Sequence, residues 1–189
     1  MLKRITNYFK VLFGIKPKLS YDPLNILISD IYVGWVFDYD GKSWEVIQLI
    51  EFDYGNSEYA MEAKITDGRN IKFLFMEEYN GETRVFATDR INITDIGETL
   101  PQTIIDNNDA PTSINYNGIE YIGYSSTPCY ADDIDSELEA TEIYAYEYAD
   151  AAGENYLRIE QHTETTFDVV VGPLAKTYMF TNITPVAAE

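Results

Sequence analysis

Four two-residue turn signals, Asp40-Gly41, Asp67-Gly68, Asn80-Gly81 and Asn117-Gly118, cut this chain into short segments in which apolar and polar residues alternate. Asn-Gly and Asp-Gly favour the type I′ turn, which needs positive φ at both central residues and joins two antiparallel strands directly. A turn at Asp40-Gly41 sets Tyr39 opposite Lys42 and Phe37 opposite Trp44, with strands over 32–38 and 43–52. Tyr59, Met61, Ala63 and Ile65 then alternate with Glu58, Glu62 and Lys64, which predicts a strand with one wet face. Ile71, Phe73 and Phe75 alternate next, and Asn80-Gly81 turns the chain into 84–88. Aromatics make up 14% of the chain, with 16 tyrosines, a composition that suits a pleated, half-buried surface.

Residues 97–112 interrupt the pattern with Pro101, Pro111 and the run Asp106-Asn107-Asn108-Asp109, which reads as a linker. After it the pattern restarts. Tyr39-Asp40-Gly41 returns as Tyr116-Asn117-Gly118, and Tyr59-Ala60-Met61-Glu62 as Tyr144-Ala145-Tyr146-Glu147. Leu74, Met76 and Glu77 match Leu157, Ile159 and Glu160, and Asn92-Ile93-Thr94 matches Asn182-Ile183-Thr184. Gly68 and Asn70 likewise match Gly153 and Asn155, and five matches in one order predict an internal duplication. The expected fold is mainly β: two related antiparallel β units packed together, plus a short N-terminal amphipathic helix. The divisions are a basic helix and connector over 1–29, a first unit over 30–98, a linker over 99–112 and a second unit over 113–189.

Charge is segregated. Residues 1–21 hold five of the 13 bases (Lys3, Arg4, Lys10, Lys16 and Lys18) and no carboxylate, leaving eight bases against 32 acids and a balance of −24. So acidic a body repels phosphate backbones, which excludes nucleic acid as its partner. In the basic segment Leu2, Ile5, Phe9 and Leu12 fall at helical spacing while Lys3, Arg4 and Lys10 occupy other faces. Such a helix has three open destinations: a protein partner, an anionic membrane surface, or the domain's own sheet. No apolar run is long enough to span a bilayer, no signal peptide is evident, and Cys129 is the only cysteine. The expected compartment is the cytoplasm, peripheral to the inner face of the membrane.

The run Val33-Gly34-Trp35-Val36-Phe37-Asp38-Tyr39-Asp40-Gly41-Lys42-Ser43-Trp44-Glu45-Val46 resembles the opening of the bacterial family called domain of unknown function 4178. Tyr116-Asn117-Gly118-Ile119-Glu120-Tyr121, Tyr146-Glu147-Tyr148, Leu157-Arg158-Ile159-Glu160 and Val171-Gly172 extend the resemblance over about residues 30–186. These are turn and core residues, so the resemblance implies a fold and no catalytic residue. The genes that tend to lie near members of the family imply a role close to the membrane surface.

Catalytic chemistry finds little support. His162, the single histidine, sits in a polar turn, and Cys129 is expected in an acidic loop that disfavours a thiolate. The acidic run 132–139 offers Asp133, Asp135 and Glu137 as weak ligands for a hard cation, yet it lacks the glycine and spacing of an EF-hand. No phosphate-cradling glycine loop is present. Tyr144, Tyr146 and Tyr148 lie on one strand, as a binding face if exposed and as packing if buried. The expectation is a non-enzymatic interaction or adaptor module without a cofactor. The alternative is a small-ligand or metal-binding protein with a pocket between the two β units.

Overall fold

The computed structural model describes residues 21–186. The basic segment with Leu2, Ile5, Phe9, Leu12, Lys3, Arg4 and Lys10, and so the expected N-terminal helix, lies outside the described residues. The first five strands form a meander: β1 (Val36–Tyr39), β2 (Lys42–Gly55), β3 (Glu58–Thr66), β4 (Ile71–Tyr79) and β5 (Glu82–Ile91). Two short helices follow, α1 (Ile93–Ile96) and α2 (Leu100–Asn107). A second meander runs through β6 (Ser113–Tyr116), β7 (Ile119–Asp133), β8 (Thr141–Ala149), β9 (Asn155–Gln161) and β10 (Phe167–Ala175), and β11 (Thr181–Thr184) ends the described chain. Among the described residues no helix is long and apolar enough to cross a membrane.

The turn chemistry sets the hairpins. Asp40, Asn80 and Asn117 adopt φ near 50° and each precedes a glycine at φ of 70° to 80°, as a type I′ turn demands. The first hairpin pairs Phe37 with Trp44 and Tyr39 with Lys42, the register expected from its turn.

All strands join one antiparallel sheet in the order β11-β1-β2-β3-β4-β5-β10-β9-β8-β7-β6. The long strands β2 and β7 also pair with each other, Ile50 to Asp133 through Asp53 to Tyr130. That second pairing closes β2–β5 and β7–β10 into a ring of eight strands, which removes their edges. The other seam runs between β5 and β10. Gly172 lies in that seam, where a β carbon would stand only 2.1 Å from the Ala87 carbonyl oxygen, so only glycine lets the two strands approach.

Each meander is buried on both faces. On one face of the first, Trp35, Phe37, Trp44, Val46, Leu74 and Val85 pack with Phe180. On the corresponding face of the second, Tyr121, Tyr146, Tyr148, Leu157 and Ile159 pack beneath Leu100 and Ile104 of α2. The remaining faces meet inside the ring, Phe52, Ala60, Phe75 and Phe86 against Cys129, Ile143, Ala145 and Tyr156. Each large apolar side chain so buried contributes roughly 1.5–3 kcal/mol of transfer free energy.

Three expectations change, and one left open is decided. The 99–112 segment is not plain linker, because Leu100 and Ile104 recur at helical spacing and are buried, and Pro101 falls in the first turn of α2, where a missing N–H costs nothing. Its asparagines close the helix, Asn108 in the left-handed conformation. The face of β3 expected to be wet is covered at its middle: Ala60 and Glu62 point into the ring while Ala63 and Ile65 face the outer core, and Glu58 stays exposed. Cys129 lies in strand β7 and is buried, not in a loop. In the tyrosine run, Tyr146 and Tyr148 are buried and Tyr144 is exposed, so two of the three rings are packing.

Candidate functional site

Polar chemistry concentrates inside the ring, around Arg158. Arg158 on β9 is fully buried, its guanidinium 3.8 Å from the ring centre of Phe52 and 5.0 Å from that of Phe75. Its Nε lies 3.2 Å from Glu160 Oε1, an ion pair without hydrogen-bond alignment, and its Nη2 lies 3.9 Å from Cys129 Sγ. Glu62, on β3 of the other meander, is 6% exposed and within electrostatic reach of both Arg158 and Glu160. Arg158 Nε and Nη1 and Glu62 Oε2 have no hydrogen-bond partner. An ionised carboxylate there is costly, and burial, reinforced by Glu160, pushes the Glu62 carboxyl up to about 8. Burial opposes the Arg158 charge, but Glu160 and the surrounding tyrosines and Glu147 outweigh it and keep the guanidinium charged.

The cluster continues outward from Glu160. His162 Nε2 lies 3.6 Å from Glu160 Oε2 and 3.2 Å from Asp168 Oδ2, and Arg90 Nη1 lies 3.6 Å from Asp168 Oδ2. The contact with Asp168 raises the His162 imidazole above its usual value, and His162 in turn lowers the Asp168 carboxyl. Burial drives the Cys129 thiol up to about 11, so it is protonated at neutral pH and a poor nucleophile.

Glu147 on β8, paired with Arg158 across the strands, is 6% exposed, and its Oε1 accepts hydrogen bonds from Tyr54 Oη and Tyr156 Oη, both 2.9 Å. Tyr156 is stacked between Phe75 and Phe86 at 4.9 and 4.7 Å. Arg84 pairs with Glu77 at 3.2 Å and donates to the Gly153 carbonyl at 3.0 Å. Burial raises the Tyr54, Tyr156 and Glu77 groups above their usual values.

The centre of the ring is filled by Phe52, Phe75, Phe86, Tyr156 and Arg158, each at most 1% exposed. Two open clefts lie elsewhere. One of about 250 Å³ is lined by Pro128, Ile143, Tyr144, Gln161 and His162. The other, of about 230 Å³, is lined by Val33, Ile47, Gln48, Lys64, Asp133 and Asp135.

The second cleft contains two of the residues singled out for a cation. Asp133 Oδ2 accepts a hydrogen bond from Gln48 Nε2 at 2.8 Å, and Asp135 Oδ1 accepts one from Tyr32 Oη at 2.9 Å. These carboxylates latch the segment after β7 onto the first meander, while Glu137 is exposed. Among the described residues no group of three or more His, Cys, Asp or Glu side chains is placed to hold a metal ion.

The buried cluster of Glu62, Glu147, Arg158 and Glu160 was not evident from the sequence. Leu157-Arg158-Ile159-Glu160 and Ala60-Met61-Glu62 alternate as half-wet strands do, and nothing local shows that the polar face is covered. The one available signal was the match of Glu62 with Glu147 and of Glu77 with Glu160 between the two stretches.

The model of the family described as domain of unknown function (DUF4178) matches residues 32–175. The chain belongs to the DUF4178 family. The matched span runs from just before β1 to the end of β10, and so includes the eight strands of the ring and its buried polar residues. No curated protein and no solved structure gave a match.

Proposed function

We propose that this DUF4178 protein acts by binding rather than catalysis, as an acidic β body that engages an anionic membrane surface through its basic N-terminal segment. The observation that carries this reading is the charge segregation: five bases and no acid in residues 1–21, against a balance of −24 in the rest. Each Lys or Arg near an anionic lipid surface contributes about 1 kcal/mol, and the apolar residues of the segment add burial. Supporting it, the body's centre is packed with aromatic rings, and its cysteine thiol is held protonated.

The reading includes an internal duplication. The two meanders share their succession of hairpins, and Glu62 and Glu147, like Glu77 and Glu160, fall at equivalent places within them. Two copies joined along β5–β10 and β2–β7 give a rigid platform on which one short segment supplies the contact.

The test is co-sedimentation of the full chain with vesicles of zwitterionic lipid and with vesicles containing 30% phosphatidylglycerol, a fraction of about the charge density at which polybasic segments bind. The wild type is expected to sediment with the anionic vesicles alone and to be released by salt. The variant Lys3→Gln/Arg4→Gln/Lys10→Gln is expected to stay in solution. Equal recovery of the two proteins would overturn the membrane reading and leave a protein partner or the domain's own sheet as the destination.

A further inference from the structure

The cluster around Glu62 holds three carboxylates, Glu62, Glu160 and Asp168, against two guanidiniums, Arg158 and Arg90. They come from β3, β9, β10 and β5, so both meanders contribute and the β5–β10 seam runs through the cluster. The remaining titratable groups facing it are His162, in the turn after β9, Cys129 on β7 and Glu147 on β8. With all three carboxylates ionised and His162 neutral, these groups carry one uncompensated negative charge, and Glu62, Arg158 and Glu160 are buried among them. Glu62 is where that charge is least tolerated, because its Oε2 meets no donor. Glu160 has Arg158 at 3.2 Å and Asp168 has both His162 and Arg90.

We propose that this cluster is a proton-sensitive junction between the two meanders: Glu62 holds a proton there, His162 responds to its loss, and the β5–β10 seam loosens when it leaves. The proton keeps the cluster neutral without His162. Its departure adds a negative charge beside Glu160, only 3.6 Å from His162, which favours the imidazolium. The two groups therefore titrate as a coupled set, with steps that belong to the cluster.

The sign of the stability effect follows from Glu62, whose ordinary value of 4.5 is raised to about 8 on folding. A raised value means that the stability gained from holding the proton is complete below pH 4.5 and is lost as pH rises toward 8. The stability of Glu62→Gln, which cannot ionise, is free of this contribution.

Because His162 is the single histidine, its ring proton resonances can be followed by NMR without assignment by mutation. In Glu62→Gln its titration midpoint is expected to fall by roughly half a pH unit or more relative to the wild type. Urea midpoints of the wild type are expected to decline from pH 5 to pH 8.5, with a smaller decline in Glu62→Gln. Amide exchange at Val169, Val170 and Val171, corrected for the intrinsic pH dependence, is expected to accelerate over the same range in the wild type only. Superimposable His162 titrations in the two proteins would overturn the coupling. Parallel urea curves would overturn the retained proton, and unchanged amide protection would overturn the loosening of the seam.

Discussion

Glu62 on β3 and Glu147 on β8 each follow an interior alanine by two residues, Ala60 and Ala145, and each is 6% exposed. Around Glu147 the ring supplies two tyrosine hydroxyls at 2.9 Å, from Tyr54 on β2 and Tyr156 on β9. Around Glu62 it supplies an arginine already paired with Glu160, and one carboxylate oxygen meets nothing. The same residue at the same kind of position is thus a satisfied acceptor in one meander and a carboxyl short of donors, held protonated, in the other. Burial alone does not decide whether an acid stabilises a core; the donors that converge on it do.

Four substitutions sharpen this contrast. The largest effect is expected from Arg158→Ala, which leaves Glu160 buried beside Glu62 without a counter-charge and opens space against Phe52. A loss of about 3–5 kcal/mol in urea unfolding is expected, the usual cost of breaking a buried pair. Glu147→Leu follows, since it strands two buried hydroxyls. At about 1–3 kcal/mol for each unsatisfied group, a total loss of roughly 2–4 kcal/mol is expected, and Glu147→Gln should recover much of it by restoring an acceptor.

Glu62→Leu is expected to act in the opposite direction. At pH 8.5 it removes a buried charge that lacks a full set of donors, so a gain of about 1–3 kcal/mol in the same assay is expected. A loss as large as that of Glu147→Leu would break the comparison. The smallest effect belongs to Asp168→Asn, because His162 and Asp168 are both partly exposed and solvent screens them. The raised His162 value gives stability that is complete below pH 6.5 and is lost as pH rises through the folded value. The lowered Asp168 value gives stability that is present above pH 3.8 and is lost as pH falls through the folded value. A cost of under about 1 kcal/mol is therefore expected between those limits, smaller at pH 9, where only the Arg90 share remains, together with a lower His162 midpoint by NMR.

The hairpins of this chain were written locally. Asp40-Gly41, Asn80-Gly81 and Asn117-Gly118 determine their turns because few residues other than Gly, Asn and Asp tolerate positive φ, and the first of them set the pairing of Phe37 with Trp44. Alternation likewise determined which residues share a face, and the residues around Trp35 and Trp44 carried the family. Tertiary structure alone decided whether a second face was wet or covered, as Glu62 and Arg158 show. It decided too that β2 and β7 meet, and that the segment after Thr99 packs as a helix over Tyr146 and Tyr148. The physical reason is range: a turn depends on neighbouring torsions, whereas the cost of a charge depends on what strands distant in sequence bring to it.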